Sequence, residues 1–135
     1  MADTFSKEQR SWIMSRVKGK NTRPEMIVRS MAHRLGFRFR LHQKDLPGKP
    51  DLVFKRLKKI IFVHGCFWHQ HKNCKHSHRP SSNKPYWNKK LDGNVERDAR
   101  NKKELRKLGW KILTVWECEI KRPEKTLGKL VKFLS

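Results

Sequence analysis

The chain has 135 residues and a mass of 16.2 kDa, the size of one ordinary domain, which excludes two enzyme domains with separate interiors. Its 34 Lys and Arg against 12 Asp and Glu leave a net charge of +22, more than solubility requires, so a polyanion is the natural partner. Hydrophobic residues make up only 36%, but a 10% aromatic share with five tryptophans is not the composition of a disordered basic tail. No apolar run approaches the roughly 20 residues of a membrane span. Met1-Ala2-Asp3-Thr4 opens no signal-peptide core, so a cytoplasmic, nucleoid-associated protein without membrane contact is expected.

Ser6-Lys7-Glu8-Gln9 has the form of a capping box, and Trp12, Ile13, Arg16 and Val17 follow at helical spacing, predicting a first helix that Gly19 ends. The basic, glycine-broken segment after it predicts a hinge, dividing an N-terminal helical arm (residues 1–20) from the body of the domain (21–135). Thr22 caps a second helix with Ile27, Met31 and Leu35 as its apolar stripe and Gly36 at its end. Phe37, Phe39 and Leu41 alternate with Arg38, Arg40 and His42, the pattern of a strand with one buried face. Leu46-Pro47-Gly48-Lys49-Pro50 is a turn, Asp51-Leu52-Val53-Phe54 a short strand, and Ile60-Ile61-Phe62-Val63-His64 a continuous apolar run suited to a central strand. A polar loop follows. Residues 94–108 read as a charged helix with Val95, Ala99, Leu105 and Leu108 on its buried side, 110–116 as a strand, and a last helix begins at Pro123 with Leu127, Leu130, Val131 and Leu134 inward. This order predicts an α/β domain in which a central mixed sheet is flanked by helices.

Three cysteines cannot all pair within one chain, and Cys66 and Cys74 lie among histidines, so metal ligation explains them better than a disulfide framework. Cys66, His69, His71 and Cys74 suit tetrahedral Zn²⁺. A second selection, Cys66, His71 and Cys74 with Cys118 arriving from the last strand, is preferred because it uses every thiol, ties the loop (66–84) to the sheet and leaves His69 for chemistry. Four protein ligands fill the shell, which makes such a zinc structural.

Carboxylates near phosphates repel them unless they hold a divalent cation. Asp51, delivered by a turn to the start of a strand, and Glu25, in the first turn of a helix able to pack beside it, form a candidate Mg²⁺ site. Each has a simpler role available: Glu25 completes a Thr22-x-x-Glu25 capping box, and Asp51 fits a turn.

Pro50-Asp51 entering a strand, with an apolar strand after it and a helical Glu upstream, resembles the PD-(D/E)xK nucleases, although Val63-His64-Gly65 lacks the expected acid and lysine. Gly48-Lys49-Pro50-Asp51, Phe62-Val63-His64-Gly65-Cys66-Phe67-Trp68-His69, Asn94-Val95-Glu96-Arg97-Asp98 and Val115-Trp116-Glu117-Cys118 resemble, in this order and spacing, the very-short-patch mismatch repair endonucleases over nearly the whole chain. The resemblance implies a monomer with a restriction-endonuclease-like fold that nicks double-stranded DNA on the 5′ side of the T in a T:G mismatch left by deamination of 5-methylcytosine. Host mismatch-repair proteins are candidate partners. It implies that Asp51 and the main-chain carbonyl of Val63 hold Mg²⁺, that His69 acts on the water or phosphate, and that Glu25, His64 and Asp98 complete the catalytic centre, with Asp98 orienting a histidine. It matches the zinc set Cys66, His71, Cys74 and Cys118, and it implies that Phe67, Trp68 and Trp87 wedge between base pairs, where a wobble pair unstacks at less cost than a matched one. The basic N-terminal helix corresponds to an arm that grips DNA. Two other functions satisfy part of the pattern: a non-catalytic zinc-stabilised nucleic-acid-binding module, which needs no carboxylates, and a restriction nuclease on matched duplex, which needs no wedge.

Overall fold

A computed structural model describes residues 22–135. The expected N-terminal arm lies outside the described residues. Within them the order is helix α1 (Arg23–Arg34), strands β1 (Arg40–Leu41), β2 (Leu52–Phe54) and β3 (Lys59–His64), helix α2 (Lys84–Lys107), strand β4 (Lys111–Trp116) and helix α3 (Pro123–Leu134), with short 3-10 turns at Lys75–Ser77 and Glu117–Lys121. The strands form one mixed sheet in the order β1-β2-β3-β4. β1 and β2 pair antiparallel, as do β2 and β3, whereas β3 and β4 run parallel from Lys59↔Lys111 to His64↔Trp116. The parallel pair needs a crossover, and the long connection through α2 supplies it.

Both sheet faces are covered, which explains the unbroken apolar run of β3. On one face Val28 and Ala32 of α1 and Leu130 and Leu134 of α3 pack against Leu52, Phe54, Ile61 and Val115. On the other, Leu105 of α2 packs against Val53, Ile60 and Phe62. No helix among the described residues is long and apolar enough to cross a membrane.

Several sequence expectations shift. The ladder of β1 covers only two residues, although Phe37 and Phe39 still point inward, their rings 6.4 and 5.7 Å from that of Phe54. The buried face of α1 centres on Glu25, Val28 and Ala32, with Met31 and Leu35 at its margin. In α3, Leu127 and Val131 are exposed, and Thr126 takes the inward position beside Leu130 and Leu134. The largest difference is α2, which begins ten residues before the predicted start at 94, with Pro85 in its first turn. Val95 and Leu108 are exposed there, and Ala99 is too. Trp87 and Leu91 bury one end of the helix and Leu105 the other. Between them Asn94, Asp98 and Lys102, at four-residue steps, face a polar pocket, so this helix has no single apolar stripe for periodicity to detect.

Candidate nuclease site and cysteine-histidine knuckle

The site sits where β2 begins and β3 ends. Thr22, in extended conformation, accepts the Glu25 amide at 3.4 Å and caps α1, but the Glu25 side chain does not complete the box. Its carboxylate is 2% exposed and turns inward, where Oε2 accepts from the Arg29 guanidinium and lies 2.9 Å from Nε2 of His42. His42, with a left-handed backbone (φ 44), donates its amide to the Asp51 carbonyl at 3.4 Å. Asp51 extends the β2–β3 pairing with its side chain: the Val63 amide donates to Oδ2 at 2.7 Å. Ligand atoms of Glu25, His42 and Asp51 all lie within 4.8 Å of one another.

Two buried carboxylates in one small space do not both ionise easily. Burial, with the neighbouring Glu25 adding to it, pushes Asp51 up to about 7. Burial also raises Glu25, but hydrogen bonding to His42 and Asp51 and the charge of Arg29 outweigh it and hold Glu25 below the usual carboxylate range. Asp51 thus keeps a proton up to about pH 7, at a position where its ligand atoms could hold a cation instead. Oxygen donors of this kind suit a hard ion such as Mg²⁺.

The residue after Val63 opens the second part of the site. His64 is 4% exposed, and its ring stacks on that of His69 with centroids 3.8 Å apart and planes 7° from parallel. Nδ1 of His69 lies 2.6 Å from Oδ2 of Asp98 on α2; the carboxylate can only accept, so Nδ1 carries a hydrogen, and in the neutral form of the ring the lone pair falls on Nε2. Burial, then the charge of His69, pushes His64 down to about 3, which keeps it neutral. Its Nδ1 is buried without a hydrogen-bond partner among the described residues, an unmet polar atom of the kind a bound phosphate or water would satisfy. Half-buried Lys102, one turn beyond Asp98, brings a cation to the same pocket, 6.0 Å from the Phe62 ring centroid.

The structure brings Glu25 to Asp51, as the sequence reading expects, and gathers His64, His69 and Asp98, which the family resemblance assigns to one centre. Sequence reasoning missed Arg29, His42 and Lys102. Arg29 is four residues from Glu25 on a helix, a spacing that signals a pair. His42 was read as the polar side of a strand, and its left-handed turn left no signal.

The knuckle leaves the sheet two residues after His64. Left-handed backbone at Gln70 (φ 51) and Asn73 (φ 56) folds the loop tightly, and the His71 amide returns to the Cys66 carbonyl at 2.9 Å. Cys118 arrives on the turn after β4, which Glu119 secures by accepting the Trp116 amide at 3.0 Å and the Lys129 ammonium at 2.7 Å. Nδ1 of His71 lies 3.7 Å from the Cys66 sulfur and 3.5 Å from that of Cys118. These match the edge of about 3.5 Å that ordinary Zn–S and Zn–N bond lengths give a tetrahedron. Cys66, His71, Cys74 and Cys118 have their ligand atoms within 4.8 Å of one another, and His69 is not among them. Burial pushes the Cys66 thiol up to about 12 and raises Cys118, whereas amides of His76 and Ser77 help bring Cys74 below its ordinary value despite burial acting upward. Crowded thiols that resist ionisation are a set that a soft cation would resolve.

Phe67 and Trp68, between the knuckle and the histidines, form an aromatic cluster with α2. Trp87 meets Phe67 edge-on at 5.5 Å and Trp68 at 6.0 Å. Trp87 is 6% exposed, which corrects the expectation of a ring presented to a groove: it supports the other two, while Phe67 and Trp68 are half-buried. Asn94 donates to the Trp68 carbonyl at 2.9 Å.

A paired-acid pocket beside a carboxylate-held histidine, at the end of the two central strands, is an arrangement that fits a hydrolytic class such as the nucleases. Sequence comparison narrows that class. The family model described as DNA mismatch endonuclease Vsr matches residues 2–76. The chain is 48% identical over 120 residues to the type II nicking enzyme V.XorIIP of Xanthomonas oryzae pv. oryzae, covering 89% of this chain and 88% of that protein. It is 42% identical over 135 residues to the type II nicking enzyme V.NmeAIP of Neisseria meningitidis, covering 98% and 96%. With the DNA mismatch endonuclease Vsr of Escherichia coli it shares 39% over 125 residues, covering 93% and 80%. The chain belongs to the Vsr family.

Proposed function

We propose that this chain is a monomeric, Mg²⁺-dependent DNA endonuclease with a structural zinc and a restriction-endonuclease-like core. It nicks double-stranded DNA on the 5′ side of the T in a T:G mismatch arising from 5-methylcytosine deamination. The observation that carries the reading is the 2.7 Å bond from the Val63 amide to Asp51, which seats the acid pair one residue from the stacked histidines. The printed descriptions of its relatives, as nicking enzymes and a mismatch endonuclease, support it.

The chemistry that Mg²⁺ supplies, held by Asp51 and the main-chain carbonyl of Val63, is stabilisation of the charge that builds on the scissile phosphate. Nε2 of His69 takes the proton of the attacking water, and Asp98, through Nδ1–H, fixes the ring and stabilises the imidazolium that results. His64, kept neutral, stacks on the His69 ring and holds it in place. Glu25, gripped by Arg29 and His42, fixes Asp51 by contact. Cys66, His71, Cys74 and Cys118 hold zinc as a brace with no role in the reaction. Phe67 and Trp68 enter the stack at the mismatch with Trp87 behind them, where the weak stacking of a wobble pair lowers the cost of opening. The net charge of +22 provides salt-dependent, sequence-independent affinity for the duplex.

The test is nicking of matched and T:G duplexes with Mg²⁺ or with EDTA. The reading expects one nick, 5′ to the mismatched T, only with Mg²⁺. Tight binding without strand breakage would indicate a binding module, and equal cleavage of both duplexes a general nuclease.

A further inference from the structure

We propose that Arg79 is a positioning residue for the aromatic step: its guanidinium braces the loop carrying Phe67 and Trp68 to helix α2 carrying the buried Trp87, so that the two loop rings meet DNA as one wedge on a fixed support. The inference rests on the mismatch reading above, because a wedge serves only an enzyme that opens a base pair.

Each guanidinium nitrogen has its own acceptor. Nε donates to Oε1 of Gln70 at 2.9 Å, Nη1 to Oδ1 of Asn88 at 2.9 Å, and Nη2 to Oδ1 of Asp92 at 2.6 Å. Asn88 and Asp92 stand one turn apart on α2, and Asn88 directly follows Trp87. Gln70 carries the grip to the loop. In its left-handed turn (φ 51) its Nε2 donates to the Phe67 carbonyl at 2.7 Å and the Ser77 carbonyl at 3.1 Å. A continuous line of hydrogen bonds therefore runs from the Phe67 main chain through Gln70 and Arg79 to the helix.

The arrangement answers a mechanical need. Phe67 and Trp68 belong to a loop and Trp87 to a helix, and ring contacts alone allow sliding between them. Misplacing an inserted group by about 1 Å is expected to cost much of its effect, so a rigid relation between loop and helix matters. A planar fork with three separate acceptors provides that rigidity, whereas a lysine ammonium could not reach all three in one geometry. An arginine on a DNA-binding surface could instead contact phosphate. Here its nitrogens are taken within the protein and an aspartate offsets its charge, which points to a brace.

The experiment compares zinc-loaded, full-length wild type with Arg79→Lys, Arg79→Met and Asp92→Ala. The readouts are near-UV circular dichroism of the tryptophans, duplex affinity, and the single-turnover T:G to T:A cleavage ratio. The brace predicts that all three variants weaken the near-UV signal and lower the ratio about tenfold or more, with zinc content and far-UV spectrum unchanged. A phosphate contact predicts otherwise: Arg79→Lys keeps the wild-type ratio, and Asp92→Ala, by removing a negative charge, tightens duplex binding with the ratio intact. Either result overturns the brace, as does a near-UV signal in Arg79→Met identical to wild type. Wild type that fails to distinguish T:G from T:A would sink the mismatch reading, while the near-UV comparison would still decide the brace.

Discussion

The cysteine-histidine knuckle and the acid pocket beside β3 each gather ion ligands within 4.8 Å, but the chain builds them in contrasting ways. Three knuckle ligands come from nine consecutive residues, folded by two left-handed turns, and only Cys118 comes from a distance. The acid pocket draws Glu25 from α1, His42 from the turn after β1 and Asp51 from the entry to β2. In the knuckle the polar atoms look mainly to one another, and thiols raised by burial have little to gain except from a cation. In the acid pocket Arg29, His42 and the Val63 amide already satisfy part of each carboxylate. Losing the ion from the first should therefore cost much of the fold's stability, and from the second mainly the chemistry.

Chelating zinc, or replacing Cys74 by Ser, should destabilise the protein by about 3 kcal/mol or more, since metal binding to such sites is folding free energy. For a domain of this size that is a fall in Tm on the order of 10 °C, measurable by calorimetry. An unchanged transition would refute a structural knuckle.

Asp51→Ala sharpens the contrast. Cleavage of a T:G duplex should fall about 10³-fold or more, as loss of a metal ligand removes several kcal/mol of transition-state stabilisation. The Tm should change little, because relief of crowding between two carboxylates offsets the loss of the Val63 amide's acceptor.

A smaller loss is expected for Asp98→Asn. The His69 ring would lose the carboxylate that fixes its tautomer, lowering kcat about 10- to 100-fold with duplex affinity retained. A change confined to affinity would assign Asp98 to DNA binding instead.

The smallest effect is on pH dependence. Asp51 titrates at about 7 in the folded ion-free protein, against 3.8 for its ordinary value, so the native state keeps a proton that the unfolded chain has released. That contribution is complete below about pH 4 and is lost as pH rises through about 7. Mg²⁺ replaces the proton, so its stabilising effect in thermal melts should be larger at pH 8 than at pH 5.5. Equal shifts at both pH values would contradict proton–cation competition at this carboxylate.

The two regions also differ in how far the amino-acid sequence revealed them. Cys66, His71 and Cys74 announce themselves by local spacing, and Cys118 follows from the leftover thiol. Asp51 and Glu25 were found because acids are conspicuous in a chain of +22, and β3 because a strand covered on both faces is apolar throughout. His42 was missed because its role depends on one left-handed residue, and Arg29 because surface-type residues give no sign of turning inward. The early start of α2 was missed for a different reason. Gly93 and the polar line Asn94, Asp98 and Lys102 interrupt its hydrophobic pattern where the helix faces the histidines, so the site itself erased the signal. The burial of Trp87 belongs to the same error, since the helix that turns it inward is expected only from residue 94.

On the proposed mechanism, oxygen ligands around Asp51 take the reaction's cation while sulfur ligands keep another. The most direct test is electron paramagnetic resonance of Mn²⁺, standing in for Mg²⁺, bound to the zinc-loaded protein on a T:G duplex with a non-hydrolysable linkage. A bound Mn²⁺ signal is expected in wild type and should vanish in Asp51→Ala while zinc stays at wild-type content; an undiminished signal in Asp51→Ala, or zinc released from the knuckle by that change, would refute this division of ligands.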